Sequence, residues 1–177
     1  LSANKTTGRL NESRLLHIYD RKKKGVDLMK LSTKGRYGLR AMLDLALNID
    51  EGPIASHTIA QRQDISERYL EQLLIPLKQS GLVKSIRGSQ GGYVLGRAPK
   101  DISVGDIIRV LEGPLAPVDC VNEVNPDDCK RADYCVTRLI WTKVRDSVSE
   151  ILDSYSLQDL VNESHKMASP VAINFDI

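Results

Sequence analysis

The three cysteines of this chain, Cys120, Cys129 and Cys135, fall in one short stretch with the spacing C-x8-C-x5-C. Thiolates are soft ligands, and a polar, flexible loop lets several of them turn toward one centre. An odd number of cysteines in a reducing compartment argues against structural disulfides and for metal or redox chemistry. The spacing on its own admits three chemistries. An iron–sulfur cluster suits three thiolates. Structural zinc more often uses a close C-x2-4-C pair, which this stretch lacks. Free thiols can also act as a redox switch. Catalysis has little support, because a cysteine nucleophile needs a histidine base beside it. His17, His57 and His165 are scattered along the chain and read as surface residues. The expected class is therefore not an enzyme.

A second set of chemically capable residues lies upstream. Ser66, Glu67, Arg68, Tyr69 and Gln72 open an apolar-periodic segment. Arginine can donate to guanine, glutamine can pair with adenine, and a carboxylate can accept from cytosine in the major groove of DNA. The start of a helix also offers free amides and a positive dipole end to a phosphate. Arg87, Ser89 and Gln90 stand in or beside the run Gly88-Ser89-Gln90-Gly91-Gly92. A bare glycine-rich tip lets an arginine approach a sugar–phosphate backbone or the minor groove.

The elements that position these residues follow from periodicity. Leu39, Met42, Leu43, Leu45, Ala46 and Ile49 predict an amphipathic helix over 33–49, stopped by Glu51-Gly52-Pro53. Ser56 is expected to cap a short helix through Gln63, with Ile59 and Ala60 facing inward, and Asp64-Ile65 to form a tight connection. Ser66 is expected to cap the next helix, whose stripe is Leu70, Leu73, Leu74 and Leu77. Pro76, lacking an amide donor, is expected to end or kink it. The β-prone runs Leu82–Arg87 and Tyr93–Leu95 predict a hairpin around the glycines. Residues 103–112 read as a short helix, and 113–135 as the loop that carries the cysteines. Leu139, Ile140, Val144, Val148, Ile151 and Leu152 predict a long helix that needs a partner to cover it, and Leu157–Val161 one further turn. The fold class expected is mainly α with a small β-hairpin wing: a winged helix-turn-helix domain plus a long C-terminal dimerisation helix.

The charge distribution agrees with a polyanionic partner for the front of the chain. Net charge is only +2, but residues 30–100 carry eleven Lys/Arg against six Asp/Glu, and residues 101–177 carry seven against fourteen. No apolar run is long enough to span a membrane, and no secretory leader is visible, so a cytoplasmic location is expected. The domain organisation read from these patterns has five parts. Residues 1–28 are a basic, non-native or disordered extension ahead of Met29, and 29–100 the winged domain. Residues 101–135 hold a short helix and the cysteine loop, 136–162 the dimerisation helix with its terminal turn, and 163–177 a mobile tail.

The motifs taken in order resemble a known family. Leu31-Ser32-Thr33-Lys34-Gly35-Arg36-Tyr37 with Ala41-Met42-Leu43-Asp44, then Tyr69-Leu70-Glu71-Gln72-Leu73-Leu74, are similar to its opening and recognition segments. Ser85-Ile86-Arg87-Gly88 with Gly91-Gly92-Tyr93, and the cysteines leading into Leu139-Ile140-Trp141, complete the pattern. The chain thus resembles the IscR-type iron–sulfur cluster regulators of the Rrf-two winged helix-turn-helix transcription factor family over roughly residues 29–162.

That resemblance implies a homodimeric transcription regulator, a repressor, acting on a palindromic double-stranded DNA operator of cluster-assembly genes. It implies a [2Fe–2S] cluster on Cys120, Cys129 and Cys135, received from the cluster-assembly machinery. DNA contacts carry over to the recognition-helix start and Arg87. Two departures stand out: the first cysteine interval is longer than the x5 of familiar members, and Arg138 stands where a histidine ligand is expected. Arginine does not bind iron, so the fourth ligand is unassigned, with Glu123, Asn125, Asp127, Asp128 and His165 in range as the loop is read. Within the same family, a nitric-oxide sensor would carry a [4Fe–4S] cluster, and a regulator of cysteine metabolism would need none.

Overall fold

The computed structural model describes residues 31–168 apart from 89, 123 and 125–128. The extension at 1–28 lies outside the described residues, as do Ser89, Glu123, Asn125, Asp127 and Asp128.

Helix α1 spans Thr33–Leu47, and Ser32 caps it by accepting from the Lys34 amide at 3.0 Å. Its inner face is Ala41, Met42, Leu45 and Ala46, all buried. It stops two residues before the predicted end. Asn48 turns its side-chain amide back onto the Asp44 carbonyl at 2.7 Å, and a 3-10 turn over Ile49–Glu51 leaves Ile49 exposed. Helix α2 spans Ser56–Gln63. Its N-cap is Ala55 rather than Ser56, whose hydroxyl instead donates to Glu67 across the turn. Asp64 adopts φ 53° and ψ 48°, a left-handed residue that ends α2 sharply, as aspartate tolerates better than most.

Helix α3 spans Glu67–Gln79, and Ser66 caps it as predicted, accepting from the Tyr69 amide at 3.3 Å. Leu70, Leu73, Leu74 and Leu77 are all buried. Pro76 neither ends nor replaces the last turn. The bond it forgoes is the one to the Gln72 carbonyl, and Gln72 lies on the exposed face, where solvent can satisfy that oxygen.

Strands β1, Val83–Ile86, and β2, Gly92–Leu95, pair antiparallel with Val83 opposite Leu95 and Ile86 opposite Gly92. Ile54 adds a third edge: its amide donates to the Tyr93 carbonyl at 3.0 Å and the Tyr93 amide donates back at 2.8 Å. Helix α4 spans Val104–Glu112 behind a capping box in which Ser103 and Asp106 bond each other's amides.

Helix α5 spans Val136–Ser154 and buries none of its residues. Helix α6 runs over Leu157–Ala168 and packs against α1, with Leu157 and Val161 in the common core beside Met42, Ile102 and Ile107. The single extra turn expected after α5 is therefore a helix of twelve residues. The expected mobile tail begins inside it, since 163–168 are helical and 169–177 lie outside the described residues. The amphipathic spacing of Leu157, Leu160 and Val161 fades after Asn162 because the later turns leave the core.

Candidate nucleic-acid interface and cysteine loop

The start of α3 is presented by a rigid support. Arg62 of α2 reaches Asp44 of α1 at 3.4 Å and Glu51 at 3.3 Å, while Gln63 donates to Asp44 at 3.2 Å. Arg40 of α1 donates back to the Gln63 side chain at 3.0 Å. These bonds fix the angle between α1 and α2, the first helix of the helix-turn-helix. Beyond them Ser66, Glu67, Arg68 and Gln72 are exposed. Arg68 and Gln72 make no hydrogen bond or ion pair among the described residues, so both are available to a ligand. Glu67 already accepts from Ser56.

Tyr69 differs from its neighbours. It is half-buried, its ring meets the Tyr37 ring edge-on at 6.0 Å, and its hydroxyl is buried without a partner. The structure thus turns Tyr69 inward, against α1. On the wing, Arg87 and Gln90 are exposed at the tip, and Gly88 takes φ 127°, which only glycine adopts readily. Lys78 near the end of α3 donates to Ser85 of β1 at 3.4 Å, holding wing and recognition helix together.

The cysteines are positioned differently from one another. Cys120 sits in a 3-10 turn over Asp119–Val121, whose buried Val121 offers its carbonyl to the Arg145 guanidinium at 2.9 Å. Arg145 belongs to the middle of α5. Cys129 precedes a second turn, its carbonyl accepting from Ala132 at 2.9 Å. Cys135 is the N-cap of α5, with its sulfur 3.2 Å from the Thr137 hydroxyl. That hydrogen bond, seconded by the Arg138 backbone amide, holds its thiol below the usual cysteine range.

All three cysteines are free and half-buried. Cys135 opens onto a cavity of about 340 Å³ lined by Tyr134, Arg138, Leu139 and Thr142 among others, and neither Cys120 nor Cys129 reaches it. Arg145 stands ten residues beyond Cys135 on α5, about 15 Å of helix rise, and its side chain ties the turn carrying Cys120 to that helix. Among the described residues no three His, Cys, Asp or Glu side chains gather as a metal site. The three thiols are donors that iron takes well, and residues 123 and 125–128 of the same loop lie outside the described residues. Arg138 donates to the Ala132 carbonyl at 3.4 Å, and His165 is exposed on α6.

Two groups of residues escaped the sequence reading. Arg36 and Arg40 lie over the Tyr37 ring, 5.7 Å and 5.3 Å from its centroid. Their spacing on one helix face with an aromatic between them was a signal the sequence contained. Arg109 of α4 grips Asp153 of α5 with two bonds of 2.6 Å and 2.7 Å. Nothing local could have predicted that pair, because 44 positions separate the partners.

A short helix, a turn, a capped helix with a polar exposed start, and a hairpin pinned beside it define a winged helix-turn-helix protein. The chain belongs to the Rrf2 family: the family profile, described as "Iron-dependent Transcriptional regulator", matches residues 31–163. It is 52% identical over 134 residues to the transcriptional regulator CymR of Bacillus subtilis strain 168, covering 76% of this chain and 91% of that protein. The solved structure of that protein, described as the global cysteine regulator of B. subtilis, matches with a TM-score of 0.64 and covers 77% of this chain and 98% of the other. The regulator IscR of Pectobacterium carotovorum is 40% identical over 134 residues, 76% of this chain and 80% of that one. The structure of T. potens IscR matches at 46% identity with a TM-score of 0.66, over 82% and 95% of the two chains. The chain is accordingly a transcription regulator and not an enzyme. Among the described residues no helix is long and apolar enough to cross a membrane.

Proposed function

We propose that the chain binds double-stranded DNA as a homodimer at a palindromic operator and represses transcription from there, in the cytoplasm. Ser66, Glu67, Arg68 and Gln72 at the start of α3 meet base edges or phosphates, and Arg87, Ser89 and Gln90 meet the backbone from the wing. The observation that carries this reading is the exposed start of α3, where Arg68 and Gln72 have no hydrogen-bond or ion-pair partner among the described residues. Selection of binding duplexes from a random-sequence pool tests it. Two similar half-sites about one helical turn apart are expected, and no enriched sequence defeats the reading.

The cysteine loop between α4 and α5 is the signal-receiving segment of this reading. The likeness to IscR proteins and the three thiols support a [2Fe–2S] cluster on Cys120, Cys129 and Cys135, supplied by the cluster-assembly machinery, with cluster-assembly genes as targets. Such a group supplies sensitivity to iron and oxidants when bound. The greater identity to a global cysteine regulator favours a second reading in which cysteine metabolism is the target. Anaerobic reconstitution with iron and sulfide, comparing wild type with Cys129→Ala, separates them. Bound iron with a visible spectrum that the variant loses supports the cluster, and iron content distinguishes [2Fe–2S] from the [4Fe–4S] of a nitric-oxide sensor. A colourless protein that still binds its operator supports the second reading.

A further inference from the structure

The exposed arginines that the sequence reading assigns to DNA contact are Arg68 on α3 and Arg87 on the wing. Helix α1, outside the motif, presents a further exposed arginine. Arg36 is exposed and makes no hydrogen bond or ion pair among the described residues. Its guanidinium lies over the Tyr37 ring, which limits its freedom without neutralising it. Arg40 covers the same ring but is committed to Gln63. The Tyr37 ring in turn abuts Tyr69, the residue next to Arg68. One aromatic pair therefore links a free arginine on α1 to a free arginine at the reading end of α3. The amide end of α1 is not itself an open anion site, since the Glu112 carboxylate accepts from Ser32 and from the Gly35 amide at 2.7 Å.

We propose that Arg36 is a DNA-phosphate contact and that Tyr37 positions it relative to the recognition helix through the ring of Tyr69. Phosphate contacts carry no sequence information, but they set how a reading head sits on the duplex. A stacked guanidinium keeps its charge and its donor edge while losing fewer rotamers on binding. The inference rests on the reading that the start of α3 enters the groove, because the duplex then passes α1.

The test measures binding of the full chain to a mixed-sequence duplex of about 30 base pairs over a range of salt concentrations. Each phosphate contact contributes close to one unit to the slope of log affinity against log salt. Arg36→Gln is expected to make that slope shallower by about 1 and to weaken binding about 3- to 10-fold. Tyr37→Leu is expected to reproduce the slope change and Tyr37→Phe to restore it, with circular dichroism confirming the folded state. Lys166→Gln on α6 removes one charge elsewhere and leaves the slope alone.

An unchanged slope and affinity in Arg36→Gln overturns the contact. An equal loss in Lys166→Gln also overturns it, by showing a general charge effect. A folded Tyr37→Leu with the wild-type slope overturns the positioning role of the ring. A wild-type chain that binds no duplex at any salt concentration refutes the DNA-binding reading itself, which is a separate failure.

Discussion

Ser66 shows how one side chain serves both stability and recognition. Its oxygen accepts from the Tyr69 amide, satisfying a donor that the first turn of α3 leaves open. Ser66→Ala should cost about 1 kcal/mol, read as a lower midpoint in urea or heat, with Ser66→Thr recovering most of it. Arg87→Ala should behave oppositely: the side chain is exposed and has no partner among the described residues, so the melting temperature holds while DNA affinity falls. The cap at Ser66 was legible because serine before a leucine stripe has few other uses. The same logic misassigned Ser56, since the sequence could not show Glu67 within reach of its hydroxyl. Tyr69 was legible as a neighbour of Arg68 but not as an inward residue, because Tyr37 sits on another helix. The cysteines were legible as ligand types, but a loop rich in proline, aspartate and asparagine has no periodicity from which to place them.

Among the elements, the wing and the α4–α5 junction carry the clearest consequences. A Cβ on Gly92 would lie 2.4 Å from the Ile54 carbonyl oxygen, and backbone cannot step aside as a side chain can. Gly92→Ala should therefore destabilise the fold by roughly 1–3 kcal/mol, the usual range for overpacking, and weaken DNA binding by splaying the hairpin. Chemical denaturation and duplex titration of the same variant check both. At the other junction, the hydrogen bonds from Arg109 hold the Asp153 carboxyl below its ordinary value of 3.8. A carboxylate with a depressed folded pKa stabilises above the unfolded value, and that contribution fades as pH falls through the lower, folded one. Both side chains are more than a third exposed, so the pair is worth at most about 1 kcal/mol after solvent screening. Asp153→Asn should melt earlier than wild type near neutral pH, and the two curves should converge in acid below the carboxylate range. A gap that persists there would assign the loss to packing instead. Helix positions were mostly readable from apolar spacing, whereas Pro76 and the length of α6 were not. Whether a missing amide matters, or whether a helix continues beyond the core, depends on what its outer face meets.

At the scale of the whole molecule, α5 poses the remaining question, because nineteen residues of helix with none buried do not suit a lone chain. Val136, Leu139, Ile140 and Ile151 are each more than half exposed, on a helix that Arg109 and Arg145 tie to the rest of the protein. A two-fold axis along this helix would cover the stripe with its own copy, since the same patch serves both subunits. It would also set two α3 starts at a fixed spacing, as a palindromic site needs. Ile140→Asp should then yield monomers in sedimentation velocity at concentrations where wild type is dimeric, with little change in helical content, because that side chain is more than half exposed in the single chain. Operator affinity should fall far more than binding to a single half-site, by a factor on the order of 100 or more, because each reading head loses its tethered partner. Monomeric wild type, or equal losses on full and half operators, would place the cover of α5 elsewhere and leave the reading heads to act singly.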